Sequence, residues 1–188
     1  AEVAALLAFA AVRNQDRVGA SLVSDRLELF LRPDRRRTHV LRLVREILMR
    51  RSSGETALGA GLWATLKTLK RRSDLFILSD FLDTDATSAL KAAAVRHDVI
   101  AIELHDPLDS APPVTAPVLA RDAETGRLGI VGGRRFAERL RADRMARRTE
   151  RLQLMRRLGI ESLELRTDRP YLPVLVDFFS RRRQRLGR

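Results

Sequence analysis

Apolar and polar positions change period several times along this chain, and each change marks an element. Residues 1–13 are nearly continuous Ala, Leu and Val without a breaker, which predicts a helix packed against a sheet. Asn14-Gln15-Asp16 ends it. Residues 17–24 (RVGASLVS) and 27–32 (LELFLR) then alternate in period two around Asp25-Arg26, which predicts an antiparallel hairpin. After Pro33, Val40, Leu43, Val44, Ile47 and Leu48 recur at helical spacing, so a helix is predicted over 36–51 with one apolar face. Ser52-Ser53-Gly54 breaks it. Glu55-Thr56-Ala57-Leu58 opens a further helix that runs through Trp63, with Trp63 expected in the core beside Leu62, Leu66 and Leu69.

Residues 74–79 (DLFILS) and 99–104 are short, apolar and bounded by polar positions, the profile of buried parallel strands. A helix predicted over 85–96 joins them, and strand, helix, strand is the unit that builds a parallel sheet with right-handed crossovers. Beyond a Pro- and Asp-bearing loop, two strands predicted around 118–121 and 127–131 flank the turn signal Glu124-Thr125-Gly126. Gly132-Gly133 then releases the chain into a helix over 134–158, capped by Gly159. Residues 160–165 form a third candidate parallel strand, and a final helix starts near Pro170. The pattern as a whole predicts an α/β fold.

The 188 residues suit one compact unit, expected over 1–180, followed by an Arg-rich tail at 181–188. Charge refines this picture. The net +12 is concentrated in 134–157, with ten arginines against Glu138, Asp143 and Glu150, and in 181–188, with five arginines and no acid. Arg141, Arg144, Arg147, Arg148, Arg151, Arg181, Arg182 and Arg183 therefore form a candidate basic surface for an acidic partner, nucleic acid or anionic lipid. On a helical wheel Phe136, Leu140, Leu154 and Leu158 fall together, but Arg144, Arg147 and Arg151 intrude. The helix is accordingly expected to pack at its two ends and be solvated between them. No aromatic residue interleaves with the arginines, so stacking on single strands is unsupported.

Cysteine is absent, which excludes disulfides, a thiolate nucleophile and Cys-ligated metal centres. The longest apolar run, 3–12, is too short to span a bilayer, and no signal-peptide pattern surrounds it. Ser79 lacks a nucleophile elbow and a placed histidine base, and Gly129 to Gly133 does not spell a phosphate loop. His105-Asp106-Pro107 reads as a strand-ending turn. Ligands of open parallel sheets bind at the carboxyl ends of the strands, which singles out Thr56 before a helix and Asp80 after strand 74–79. A hydroxyl and a carboxylate at one sheet edge suit a hard divalent cation. Turn and capping roles for the two residues compete with that reading.

The order of DRVG (16–19), GETALGAGL (54–62), LSDF (78–81), RHDVIAIELHDP (96–107), RDAETGR (121–127) and LGIESLELRTD (158–168) resembles the bacterial domain of unknown function 58. The resemblance implies a three-layer von Willebrand factor A-like, Rossmann-like fold: a mostly parallel sheet with helices on both faces and one antiparallel edge strand. It implies a metal-ion-dependent adhesion site in which Thr56 and Asp80 match the Thr and Asp positions. The Asp-x-Ser-x-Ser loop that completes such a site is not in this sequence, so the first central strand and that loop are expected to be missing. Mg2+ or Ca2+ is expected in the full-length protein and none in this fragment. Either the strands at 17–24 and 74–79 pair directly, or the exposed edge takes a strand from a second molecule. By resemblance the chain is a non-enzymatic interaction module and partner of a MoxR-type AAA+ ATPase, in the cytoplasm or at the cytoplasmic face of the membrane. The alternative is an electrostatic binder of nucleic acid or anionic surfaces.

Overall fold

The computed structural model describes residues 1–50, 57–82, 85–107, 118–121, 128–131 and 133–187. These divide into two compact units, Ala1–Arg72 with Asp83–Ala93, and Ser73–Leu82 with Ala94–Arg188.

In the first unit the Ala/Leu-rich start forms α1 (Glu2–Arg13), and Gln15 turns the chain at φ 64°. The period-two segments pair as predicted, β1 (Val18–Val23) antiparallel to β2 (Leu27–Asp34). The register shifts between Val18 and Ala20, where a Cβ on Gly19 would collide with the Leu31 carbonyl and Pro33. A bulge there needs glycine. β2 continues through Pro33, which a strand with only β1 beside it tolerates because its outer edge needs no N–H.

α2 (Arg37–Met49) buries Val40 and Leu43 and packs against α1 and β1. Leu48, expected on that buried face, is instead 64% exposed. One residue past Ile47, it has rotated by about 100° off the stripe. α3 (Leu58–Thr68) buries Leu58, Leu62, Thr65 and Leu66, and its Gly59 and Gly61 lie against the Asp85 carbonyl and the Val23 side chain. Trp63 turns outward, 42% exposed, and its indole N–H reaches the Ser88 hydroxyl at 3.4 Å. Its core expectation fails because it sits at the flank of the stripe, about 100° round α3 from the centre of Leu58, Leu62 and Leu66. From α4 (Thr87–Arg96), Ala89, Leu90 and Ala93 are buried.

The second unit holds the parallel sheet. β3 (Asp74–Ser79), β4 (Asp98–His105) and β7 (Glu161–Arg166) lie in the order β3-β4-β7, with Ser79, Glu103 and Glu164 in register. Ile77, Val99, Ile100, Ala101, Ile102, Leu163 and Leu165 supply its core. Side chains alternate across a sheet, so Phe76 and Glu103 face opposite ways. α5 (Arg134–Arg157) reaches Glu103 on one face; α6 (Leu172–Leu186) brings Phe179 to 6.0 Å from Phe76 on the other. Helices thus cover both faces, the α/β layering expected. Gly159, at φ 69°, ends α5, with the Ile160 N–H returning to the Met155 carbonyl. β5 (Val118–Arg121) and β6 (Leu128–Val131) pair antiparallel as predicted, and the turn expected at 124–126 lies outside the described residues. Residues 181–186 continue α6.

The described ladders form three separate sheets, in which β1 pairs with β2 alone and β3 with β4 alone. Direct pairing of β1 with β3 is not among them.

Candidate functional site

β3 ends at Ser79, and the four residues Ser79–Leu82 form a turn held from within and without. The Ser79 hydroxyl accepts the Phe81 N–H at 3.0 Å, and Asp80 Oδ1 accepts the Leu82 N–H at 3.2 Å. Phe81 adopts φ 53°, a left-handed conformation that costs an aromatic residue on the order of 1 kcal/mol. Burial offsets this, because its ring is only 3% exposed and sheltering such a side chain is worth about 2 kcal/mol. Arg151 completes the turn: its Nη1 donates to the Phe81 carbonyl at 2.9 Å, and its guanidinium carbon lies 5.6 Å from the Phe81 ring centroid. The result is an exposed Asp80 carboxylate, followed by a half-exposed Leu82, on a fixed turn at the carboxyl edge of the sheet.

Beneath that turn lies an ionic ladder. Glu103 and Glu164 are neighbours across β4 and β7, and two adjacent carboxylates on a covered face require cations. Arg151 pairs with Glu103, and Arg148 pairs with Glu164 while its Nε lies 3.6 Å from Glu103. The opposite face repeats the device: Arg182 joins Asp98 and Glu161, and Arg185 also pairs with Glu161. The predicted basic surface therefore divides. Arg151 and Arg182, at 16% and 12% side-chain exposure, fasten helices to the sheet and are not available as surface charge. Arg147 and Arg181 pair along their helices with Asp143 and Asp177. Arg141, Arg144 and Arg183 have no ion-pair partner among the described residues.

Sequence reasoning passed over the acids of these clamps. Glu103 was the available signal, a lone carboxylate inside the apolar run VIAIEL, which burial permits only with a partner. Of the arginines that intrude on the apolar stripe of α5, Arg151 is that partner.

Thr56 lies outside the described residues, so of the two candidate ligands Asp80 alone has a described environment. Among the described residues no three His, Asp or Glu side chains converge to hold a metal ion. Asp80 brings one carboxylate, with one oxygen already engaged, whereas Ca2+ takes about six to eight oxygens. The described donors do not make a cation site. Ser79 spends its hydroxyl oxygen on the Phe81 N–H, in keeping with a turn residue. Among the described residues no helix is long and apolar enough to cross a membrane.

The family model described as "Protein of unknown function DUF58" matches residues 1–152. The chain belongs to the DUF58 family. Uncharacterized proteins of Mycobacterium bovis and Mycobacterium tuberculosis are each 37% identical to this DUF58 chain over 120 residues, covering 61% of it and 37% of their own length. An uncharacterized protein of Mycobacterium avium is 36% identical over 120 residues, covering 61% of the DUF58 chain and 69% of its own length. The chain thus matches little more than a third of the first two relatives. Among solved structures, the conserved hypothetical protein BatB from Bacteroides thetaiotaomicron aligns with TM-score 0.52 and 16% identity, over 92% of the DUF58 chain and 82% of that chain. At that identity the likeness speaks to the fold, which the two share.

Proposed function

We propose that this DUF58 chain is a non-enzymatic protein-interaction module of von Willebrand factor A type. In this reading its partner is a MoxR-type AAA+ ATPase, and the pair acts in assembly or maturation of other proteins, in the cytoplasm or at the cytoplasmic face of the membrane. The Ser79–Leu82 turn carries the proposal. A carboxylate and an apolar side chain are displayed on a turn that Arg151 braces from below, a preorganised contact with little ordering entropy left to lose on binding. The choice of partner class comes from the sequence resemblance; the family model and the BatB likeness support the fold on which the turn is displayed.

The test is direct binding of the chain to a purified MoxR-type ATPase by biolayer interferometry. Saturable binding is expected, weakened about tenfold or more by Asp80→Ala with an unchanged thermal midpoint, in the range of a central polar contact. Absence of binding, or indifference to Asp80→Ala and Leu82→Asp, would overturn the reading.

The electrostatic alternative has Arg141, Arg144 and Arg183 to draw on. Three phosphate contacts give a slope of log K against log salt of about −2.7 on duplex DNA, against about −7 for all eight arginines. A slope of the steeper kind would favour that alternative.

A further inference from the structure

α2 has a second face. Its inner side is buried on α1 and β1, yet Leu41, Leu48 and Met49 are 54%, 64% and 76% exposed on the outer side. Three large apolar side chains more than half in water on one helix of thirteen residues is an unsatisfied surface. Their spacing is ordered. Thr38, Leu41, Arg45 and Leu48 succeed one another by three, four and three residues, the seam of a heptad, with Arg42 and Met49 flanking it. The surface dips between Thr38, Leu41, Arg42, Arg45 and Glu46 into a shallow cavity of about 430 Å³.

The charge around this face is mostly basic. Residues 32–50 carry seven arginines against Asp34 and Glu46, and those two acids are engaged by Arg36 and Arg50. Arg42 and Arg45 are exposed and have no acid partner among the described residues. We infer that the outer face of α2 docks an acidic amphipathic helix of a partner protein, whose apolar residues cover Leu41, Leu48 and Met49 while a carboxylate meets Arg45.

Arg45 decides among occupants. It stands in the seam between Leu41 and Leu48, where a helix lying in a bilayer surface needs unbroken apolar contact, so a lipid surface fits poorly. A second copy would bring its own Arg42 and Arg45 against this pair, and the Glu46 beside them is already engaged by Arg50. A helix with one acid at the facing core position turns the same residue into a selector, because a single polar seam position sets register and partner. The groove mode, anchors at i, i+3 and i+7 laid along an apolar strip, is a recurrent form of helix recognition.

The test uses the full chain and a labelled synthetic helix of about three heptads, Leu-seamed, with Glu facing Arg45 and Arg42, beside a twin carrying Lys for each Glu. Fluorescence anisotropy is expected to show saturable binding of the acidic peptide and none of the basic one. Arg45→Glu should weaken the acidic peptide by tenfold or more and confer binding on the basic one, while Leu48→Asp removes binding of the acidic peptide. Failure of the acidic peptide to bind, lack of the charge swap, or capture of the chain by phosphatidylserine vesicles in place of the peptide would overturn the inference. The inference stands apart from the Asp80 turn: Asp80→Ala leaves the peptide affinity unchanged, so either reading can fail without the other.

Discussion

Arg151 serves three groups with one guanidinium: the Glu103 carboxylate, the Phe81 carbonyl and the Phe81 ring. Replacing it by Met removes a charge-assisted pair and leaves a largely buried carboxylate whose remaining cation, Arg148, is at 3.6 Å and already shared with Glu164. Stranding a buried charge costs about 3–5 kcal/mol, and the Arg148 contact reduces that, so Arg151→Met is expected to destabilise by about 2–3 kcal/mol in urea unfolding. The double change Arg151→Met with Glu103→Leu should recover most of the loss, because neither charge then needs solvating. A second residue-scale pair is surface-exposed. Arg36 donates through its side chain and its backbone N–H to Asp34 and holds that carboxyl down from 3.8 to about 2. A depressed carboxyl stabilises the fold above its unfolded value of about 3.9, and that contribution fades as pH falls toward 2. Asp34 should titrate near 2 by NMR, and Arg36→Gln should raise the midpoint and flatten the fall of stability between about pH 4 and 2.

α3 and α5 show what an element's pattern does and does not disclose. In α3 the glycines are a packing device. Gly59→Ala would gain about 1 kcal/mol of helix propensity. Its new Cβ would run into the Asp85 carbonyl, backbone that cannot step aside, and overpacking costs about 1–3 kcal/mol. A net loss is expected, read as a lower midpoint at unchanged m value. In α5 the period was legible but its meaning was not. The intruding arginines argued for a helix packed at its ends and solvated between, and residues 141–150 are largely exposed, yet Arg148 and Arg151 attach it to the sheet by ion pairs that the pattern does not announce. Strand 74–79 was recovered residue for residue, since a short apolar run bounded by polar positions is too brief for a helix, even though Ile77 alone of it is buried. Leu48 and Trp63 were misplaced because an apolar residue at a helical position states its angle only to within a stripe's width.

At the level of the whole molecule, the class and order of elements follow from periodicity, while the long-range ion pairs do not. Arg182 and Asp98 stand 84 residues apart, and Arg151 and Glu103 48, with no periodic pattern to couple them. Net charge misled in the same way: it counts a clamped guanidinium and a free one alike. The division into two compact units has a practical consequence. The chain contains one tryptophan and one tyrosine, and Trp63 falls in the first unit while Tyr171 falls in the second. Indole emission thus reports on one half of the molecule alone. In Arg151→Met the midpoint followed by Trp63 fluorescence is expected to hold while the far-ultraviolet dichroism transition broadens toward lower urea. Coincident shifts in both signals would mean that the two units unfold as one cooperative body. Without any added dye, the chain carries its own optical gauge of how far cooperativity extends.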